Sequence, residues 1–279
     1  MSGASRKFVT FDCEGSQIAA TLDLPPSPPR SALLVVTGGN EVRAGAWNGH
    51  AQLAARLAEA GHAVLRFDRR GVGDSEGGNA GFRGAAPDIA AALACLRREA
   101  PELQRVVGWG NCDAASALML TQGQGFSGLV LSNPWTYEQD TDDAEETDAD
   151  VVGSGDVTPA MTSTELRAHY RARLFNLDAV KRLLTGRVPV RSLVRSVIGM
   201  LRKPPPPSSL AQDMARGLSA YSGPALLLVA EGDRTGQAFL GSWDRADPRL
   251  RICPKASHSF VEPHAREWLD AQLLDALNG

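Results

Sequence analysis

Ala32-Leu33-Leu34-Val35-Val36 is apolar at every position. A strand built from such a run has no polar face to offer water, so it must be covered on both sides. Sheets covered on both sides are built mainly of parallel strands joined by helices. The sequence downstream meets that demand. Helical spacing puts Leu53 and Leu57 on one face and stops at Gly61, a residue suited to the left-handed position after a helix. Residues 62–67 read as the next strand, and Pro87 enters a second helix with Ile89, Leu93 and Leu96 on one side. Strand-like residues 105–109 lead into a helical run at 115–120, and 128–132 form another strand. Two later strands, 225–230 and 249–253, flank a helical segment, and a final helix carries Trp268, Leu269, Leu273, Leu274 and Leu277. Ahead of the alternation, residues 7–13 and 17–24 are β-prone runs joined by Glu14-Gly15-Ser16, a hairpin. The predicted class is α/β, a mostly parallel sheet flanked by helices.

Between Asn133 and about Gly217 the alternation stops. Residues 138–156 hold many Asp and Glu and no Lys or Arg, whereas 167–203 are rich in Arg. This predicts one core made of residues 1–133 and 218–279, with an insertion at 134–217 that is an acidic loop followed by a basic helical cap. A chain of 279 residues is ample for such a core. The formal net charge of -3 gives no field that would gather nucleic acid, leaving small-molecule chemistry or a protein partner. Residues 1–7 lack the apolar core of a secretory signal, and no run reaches the roughly 18 apolar residues of a membrane span, so a cytoplasmic location is expected. Cys13, Cys95, Cys112 and Cys253 are scattered without a CxxC pair, which speaks against a disulfide framework and a zinc site. Cys95, on an apolar helix face, reads as core, and no cofactor or metal is expected.

Cys112 needs another explanation. Val106-Val107-Gly108-Trp109-Gly110-Asn111-Cys112-Asp113-Ala114 is strand, sharp turn and helix, with a nucleophilic residue type at the apex. Such a turn crowds its centre, and Gly110 and Ala114 supply small neighbours two residues to either side, giving G-x-C-x-A. Unpaired N–H groups at the start of the helix favour a thiolate there. Ser116, four residues on, falls inside the helix, where a hydroxyl normally bonds the preceding turn.

A nucleophile of this kind is followed along the chain by an acid and then a histidine. Asp233 lies just past strand 225–230, where groups of the site gather in open α/β sheets, and His258 lies on the loop entering the final helix. The other histidines, His50, His62, His169 and His264, fall on predicted helices, a strand start or the cap. Thr37-Gly38-Gly39-Asn40 follows the first long parallel strand. Gly39 or Asn40 is therefore expected to give one oxyanion N–H, with Asp113 giving the other. Arg43, Trp47 and Trp135, on loops or strand ends near this rim, are candidate substrate contacts. The run from Phe67 to Gly77 contains G-x-G-x-x-x-G. It follows the second long strand and carries Asp68, Asp74 and Glu76, which repel phosphate, so it reads as a structural turn rather than a nucleotide loop.

Through Thr37-Gly38-Gly39, Asp68-Arg69-Arg70-Gly71-Val72-Gly73-Asp74-Ser75, the turn at Cys112, Asp233 and His258, the chain resembles the α/β-hydrolase superfamily along its length outside the cap. More narrowly, Phe67 to Gly77 and the run from Gly110 to Ala117 resemble exosortase A system-associated hydrolase 1, a bacterial family that accompanies an exopolysaccharide and protein-sorting system. Cysteine at the apex is also similar to dienelactone hydrolases and polyhydroxyalkanoate synthases, where a Cys-His-Asp triad works on a lactone or on thioesters. The resemblance implies acyl transfer through an acyl-cysteine, with Cys112 as nucleophile, His258 as base and acid, and Asp233 orienting His258. Water as acceptor makes the protein an esterase or thioesterase, and another acceptor makes it an acyltransferase. A catalytically silent accessory binding protein is the rival reading. The basic stretch 165–203 suits an anionic donor such as coenzyme A thioester or an acidic acyl carrier protein, with peripheral contact to a membrane as the other use of its charge.

Overall fold

A computed structural model describes residues 3–137 and 208–279. The chain starts with β1 (Ser5–Cys13) and β2 (Ser16–Leu24), paired antiparallel from Ser5 against Leu24 to Cys13 against Ser16. Glu14 and Gly15 between them both take positive φ, 52° and 83°, the twist that matches a two-residue hairpin to its strands. β3 (Ser31–Val36), α1 (Gly49–Glu59), β4 (Ala63–Phe67), α2 (Ala86–Glu99), β5 (Arg105–Asn111), α3 (Asp113–Leu120) and β6 (Gly128–Ser132) follow. After residue 208 come α4 (Ser209–Ala220), β7 (Ala225–Ala230), α5 (Arg234–Ser242), β8 (Leu250–Cys253) and α6 (Pro263–Asn278).

The eight strands form one sheet in the order β1-β2-β4-β3-β5-β6-β7-β8. β2 meets β4 antiparallel, and every pairing from β4 to β8 is parallel. The β3 run that opened the sequence reading explains itself here. Ala32, Leu34 and Val36 enter the core under α2, α3, α4 and α5, while Leu33 and Val35 enter the opposite core under α1 and α6. All five are at most 1% exposed, so a period-2 alternation of polar residues had no place in this strand. No helix among the described residues is long and apolar enough to cross a membrane.

The acidic loop and basic cap expected at 138–203 lie outside the described residues. The chain is described again from Ser208, ahead of the core boundary expected at 218. Ser208 caps α4 by accepting from the Ala211 N–H at 3.1 Å, and α4 buries Leu210, Met214 and Leu218 in the same core as α3. The two ends of the undescribed segment also meet, since Ser208 Oγ donates to the Thr136 carbonyl at 2.9 Å.

Candidate active site

The parallel strands deliver the candidate residues to one edge. β5 ends at Asn111, and the chain turns at Cys112 with φ 62° and ψ −128° before α3 begins at Asp113. That combination is sparsely populated by any residue with a Cβ. It is held from several sides. The Cys112 N–H donates to the Ser132 carbonyl at 3.0 Å, while the Cys112 carbonyl accepts from Ala115 at 3.1 Å and Trp135 at 3.3 Å. Gly110 lets the helix come this close, because a Cβ there would stand 2.7 Å from the Ala114 carbonyl carbon. Ser116 lies inside α3, fully buried, and donates to the Trp135 carbonyl at 2.8 Å.

Asp233 and His258 meet as the chain order implied. Asp233 follows β7 and caps α5, accepting from the Gly236 N–H at 2.8 Å. The same oxygen, Oδ2, lies 3.0 Å from His258 Nδ1. Hydrogen bonding to Asp233 first, and to the Cys112 side chain second, raises the His258 pKa from 6.5 to about 10 against the opposing effect of burial. The ring therefore has the carboxylate on one side and the sulfur on the other. By contrast, burial comes first in raising the thiol pKa of Cys13 (to about 11), Cys95 and Cys253, and each of these is buried.

Two asparagines that the sequence reading passed over hold the histidine loop. Asn111 Nδ2 and Asn133 Nδ2 both donate to the His258 carbonyl, at 3.2 and 3.1 Å. Asn133 Nδ2 also donates to Asn111 Oδ1, and its own Oδ1 accepts from the Ala230 N–H, so one fully buried side chain links β5, β6, β7 and the His258 loop. The available signal was an Asn at a strand end, where a positive φ (here 43°) is tolerated.

The oxyanion loop differs from expectation in one respect. Gly39 follows β3 as anticipated, yet its N–H is already engaged, donating to Asp113 Oδ1 at 2.8 Å and Oδ2 at 2.9 Å. Gly38 makes room for that carboxylate, since a Cβ would lie 2.5 Å from Asp113 Oδ1. Asn40 is turned to Asn79, whose Nδ2 donates to Asn40 Oδ1 at 2.9 Å. Beneath the loop sits Arg69, 2% exposed, donating from Nη2 to the Gly39 carbonyl at 2.5 Å. Its burial was not foreseen.

The three candidate substrate contacts part company. Arg43 is committed elsewhere: its guanidinium binds Asp68, Asp74 and Thr21, and its N–H donates to Asp68. It anchors the turn after β4 and does not join the Cys112 group. Trp135 does adjoin Cys112 through its N–H, and its ring packs on Tyr137 at 4.6 Å. Trp47 is 87% exposed at the lip of a cavity of about 380 Å³ that His50, Trp109, Asn111 and Ser259 also line. That cavity flanks the Cys112, Asp233 and His258 group through Asn111 and Ser259, the chain neighbours of Cys112 and His258.

Among solved structures the chain is similar to the esterase Pf2001 of Pyrococcus furiosus, with 15% identity and a TM-score of 0.60 over 98% of this chain and 90% of that one. It is similar to Est1E of Butyrivibrio proteoclasticus, determined with ferulic acid bound, at 15% identity and TM-score 0.58 over 97% and 100% of the two chains. The dienelactone hydrolase of Anabaena variabilis gives 14% identity and TM-score 0.59 over 99% and 97%. At these identities the likeness is one of fold. No curated protein matches the chain. The model of the alpha/beta hydrolase family matches residues 33–271, from β3 into α6. That span takes in the turn at Cys112, Asp233 and His258, and the chain therefore belongs to the alpha/beta hydrolase family.

Proposed function

We propose that the protein is an acyl-transfer hydrolase acting on an ester or thioester through a Cys112-His258-Asp233 triad. The observation that carries the reading is the meeting, at one sheet edge, of a backbone-strained Cys112 with a histidine that Asp233 backs at 3.0 Å. The named structural neighbours include an esterase and a dienelactone hydrolase, which favours a carbonyl substrate with an oxygen leaving group. The apex cysteine widens this to thioesters.

In the first half-reaction His258, whose pKa is raised to about 10, holds the proton beside Cys112 while Cys112 Sγ attacks the substrate carbonyl. The C–S bond forms, the π pair moves onto oxygen, and the N–H groups of Asp113 and Gly39 are the donors for that oxygen. When the carbonyl re-forms, the leaving group departs with the proton held by His258. Water, deprotonated by His258, then attacks the acyl-cysteine and releases the acid and the thiol. Asp233 keeps Nδ1 of the ring occupied, so that Nε2 faces the sulfur.

The likeness of residues 67–77 and 110–117 to exosortase A system-associated hydrolase 1 supports a place beside an exopolysaccharide and protein-sorting system. The excess of Lys and Arg in 165–203 supports recruitment of an anionic acyl donor. The test is intact mass after brief exposure to acyl thioesters of differing chain length. A transient adduct of acyl mass that is absent in Cys112→Ala, together with a turnover loss on the order of a million-fold, is expected. Turnover that survives Cys112→Ala removes the cysteine from the reaction.

A further inference from the structure

We propose that Asp113 is a latch on the oxyanion donor Gly39 N–H, and that Arg69 is the group to which the Asp113 carboxylate moves when the donor is needed. The inference rests on the triad reading above and adds two positioning residues to it.

Three observations carry it. The Asp113 carboxylate sits with both oxygens on the Gly39 N–H, at 2.8 and 2.9 Å, in the loop that supplies one of the two oxyanion donors. An acceptor there takes up the hydrogen that a developing oxyanion requires, and its negative charge opposes a second negative oxygen beside it. Next to it stands Arg69, whose Nη2 is 3.7 Å from Asp113 Oδ2, beyond hydrogen-bond length. Finally, Arg69 is 2% exposed, and its Nε and Nη1 have no hydrogen-bond partner at all.

Buried guanidinium donors without acceptors are costly, and such a group calls for an explanation beyond packing. A partner that arrives during the reaction is one, and the carboxylate beside this guanidinium is Asp113, whose side chain keeps 15% of its surface exposed. The carboxylate thus has two addresses. On Gly39 it closes the oxyanion site, and on the guanidinium of Arg69, which approaches it through Nη2 and holds Nε and Nη1 without partners, it opens it. Attack by Cys112 on a carbonyl favours the second address, because the new oxyanion takes the Gly39 N–H and repels the carboxylate toward the guanidinium. The closed state lowers the apparent affinity for any ligand that forms an oxyanion by the fraction of molecules that are open.

The experiment compares two reagents on the full chain. A neutral aryl trifluoromethyl ketone accepts Cys112 Sγ at its carbonyl carbon, and the C=O pair becomes an oxyanion. Iodoacetamide alkylates the same sulfur with loss of iodide and places no charge in the oxyanion site. Asp113→Ala should tighten the ketone adduct about tenfold if the donor is free in roughly a tenth of molecules, and this gain should exceed any change in the iodoacetamide rate. Asp113→Asn keeps an acceptor for the Gly39 N–H, so its gain should be smaller. Arg69→Met removes the second address and should weaken the ketone adduct in the wild-type background, yet leave it unchanged in Asp113→Ala.

Ketone affinity that stays level or falls in Asp113→Ala overturns the latch, as do equal gains in the Ala and Asn variants. So does an Arg69→Met effect that persists in the absence of Asp113, which would make Arg69 a direct partner of the oxyanion. The Asp113 variants alone decide the matter where Arg69→Met does not fold. A Cys112 inert to both reagents defeats the triad reading and the latch with it, whereas normal alkylation with no gain in ketone affinity defeats only the latch.

Discussion

Replacing Cys112 by glycine should leave the protein more stable than replacing it by alanine, although both remove the sulfur. The backbone at Cys112, with φ 62° and ψ −128°, lies where a side chain with a Cβ is strained, at a cost of about 1–3 kcal/mol. Alanine keeps the Cβ and hence the strain, so Cys112→Ala is the proper reference, matched for loss of the thiol and of its contact with His258. Glycine relieves the strain but gives the unfolded chain more freedom, which takes back about 0.4–1 kcal/mol. The net expectation is that Cys112→Gly exceeds Cys112→Ala by about 1 kcal/mol. In a domain of this size that is roughly 2–4 °C in melting temperature. Urea unfolding of the two variants, followed by tryptophan fluorescence, reads the difference directly. A glycine variant that unfolds at or below the midpoint of the alanine variant would refute the claim that the Cys112 turn stores strain.

Three further outcomes are expected. The His258 pKa is raised in the folded state from 6.5 to about 10, so its contribution to stability is complete below about pH 6.5 and is lost as pH climbs through about 10. Asp233→Asn retains a cap for the Gly236 N–H. Its stability deficit should accordingly be wide near about pH 6 and narrow by about pH 10.5, and a deficit that is flat with pH argues against the pair. Asp68 is fully buried and receives the Arg43 N–H, the Arg43 guanidinium and the Asp74 N–H. Asp68→Ala strands those donors and should cost about 3–5 kcal/mol in chemical denaturation, while a loss under about 1 kcal/mol would show that the turn after β4 stands without its anchor. Gly110→Ala would place a Cβ against backbone atoms of α3, at 2.7 Å from the Ala114 carbonyl carbon and 2.9 Å from the Ala115 nitrogen. With no flexible side chain to yield, it should destabilise by at least about 3 kcal/mol or prevent accumulation of soluble protein, and normal melting would disprove the close approach.

Cys112 and Asp233 were legible because each follows the end of a buried strand, and such ends announce themselves in apolar runs, whereas His258 follows the mostly exposed β8 and was legible from its place in chain order. Chain order then supplied the partners without distances. What escaped were contacts between loops far apart in sequence. Nothing in Arg69 itself separates it from Arg70, its neighbour, yet Arg69 is buried under Gly39 whereas Arg70 reaches the surface to pair with Glu14 and Asp88. Arg43 was placed at the rim because it follows the glycine loop. The structure turns it toward Asp68 because that buried carboxylate needs a cation. Asp113 was read for its backbone N–H alone, and only the position of the Gly39 loop gives its carboxylate a part. The hairpin and helix ends were close to expectation, whereas β5 runs on to Asn111 and α3 starts at Asp113, because an apex residue looks like a loop in sequence and is a single-residue hinge in space.

The bond from Ser208 Oγ to the Thr136 carbonyl has an architectural consequence. A hydrogen bond between Thr136 and Ser208 closes the core on itself at this point, and the cost of closing a loop depends only weakly on its length. The closure also touches the Cys112 turn, since Trp135, next to Thr136, donates its N–H to the Cys112 carbonyl and accepts from the Ser116 hydroxyl. The core thus closes on itself beside the residue that braces the Cys112 turn, so a change at this seam is felt at the turn rather than in the register of the sheet.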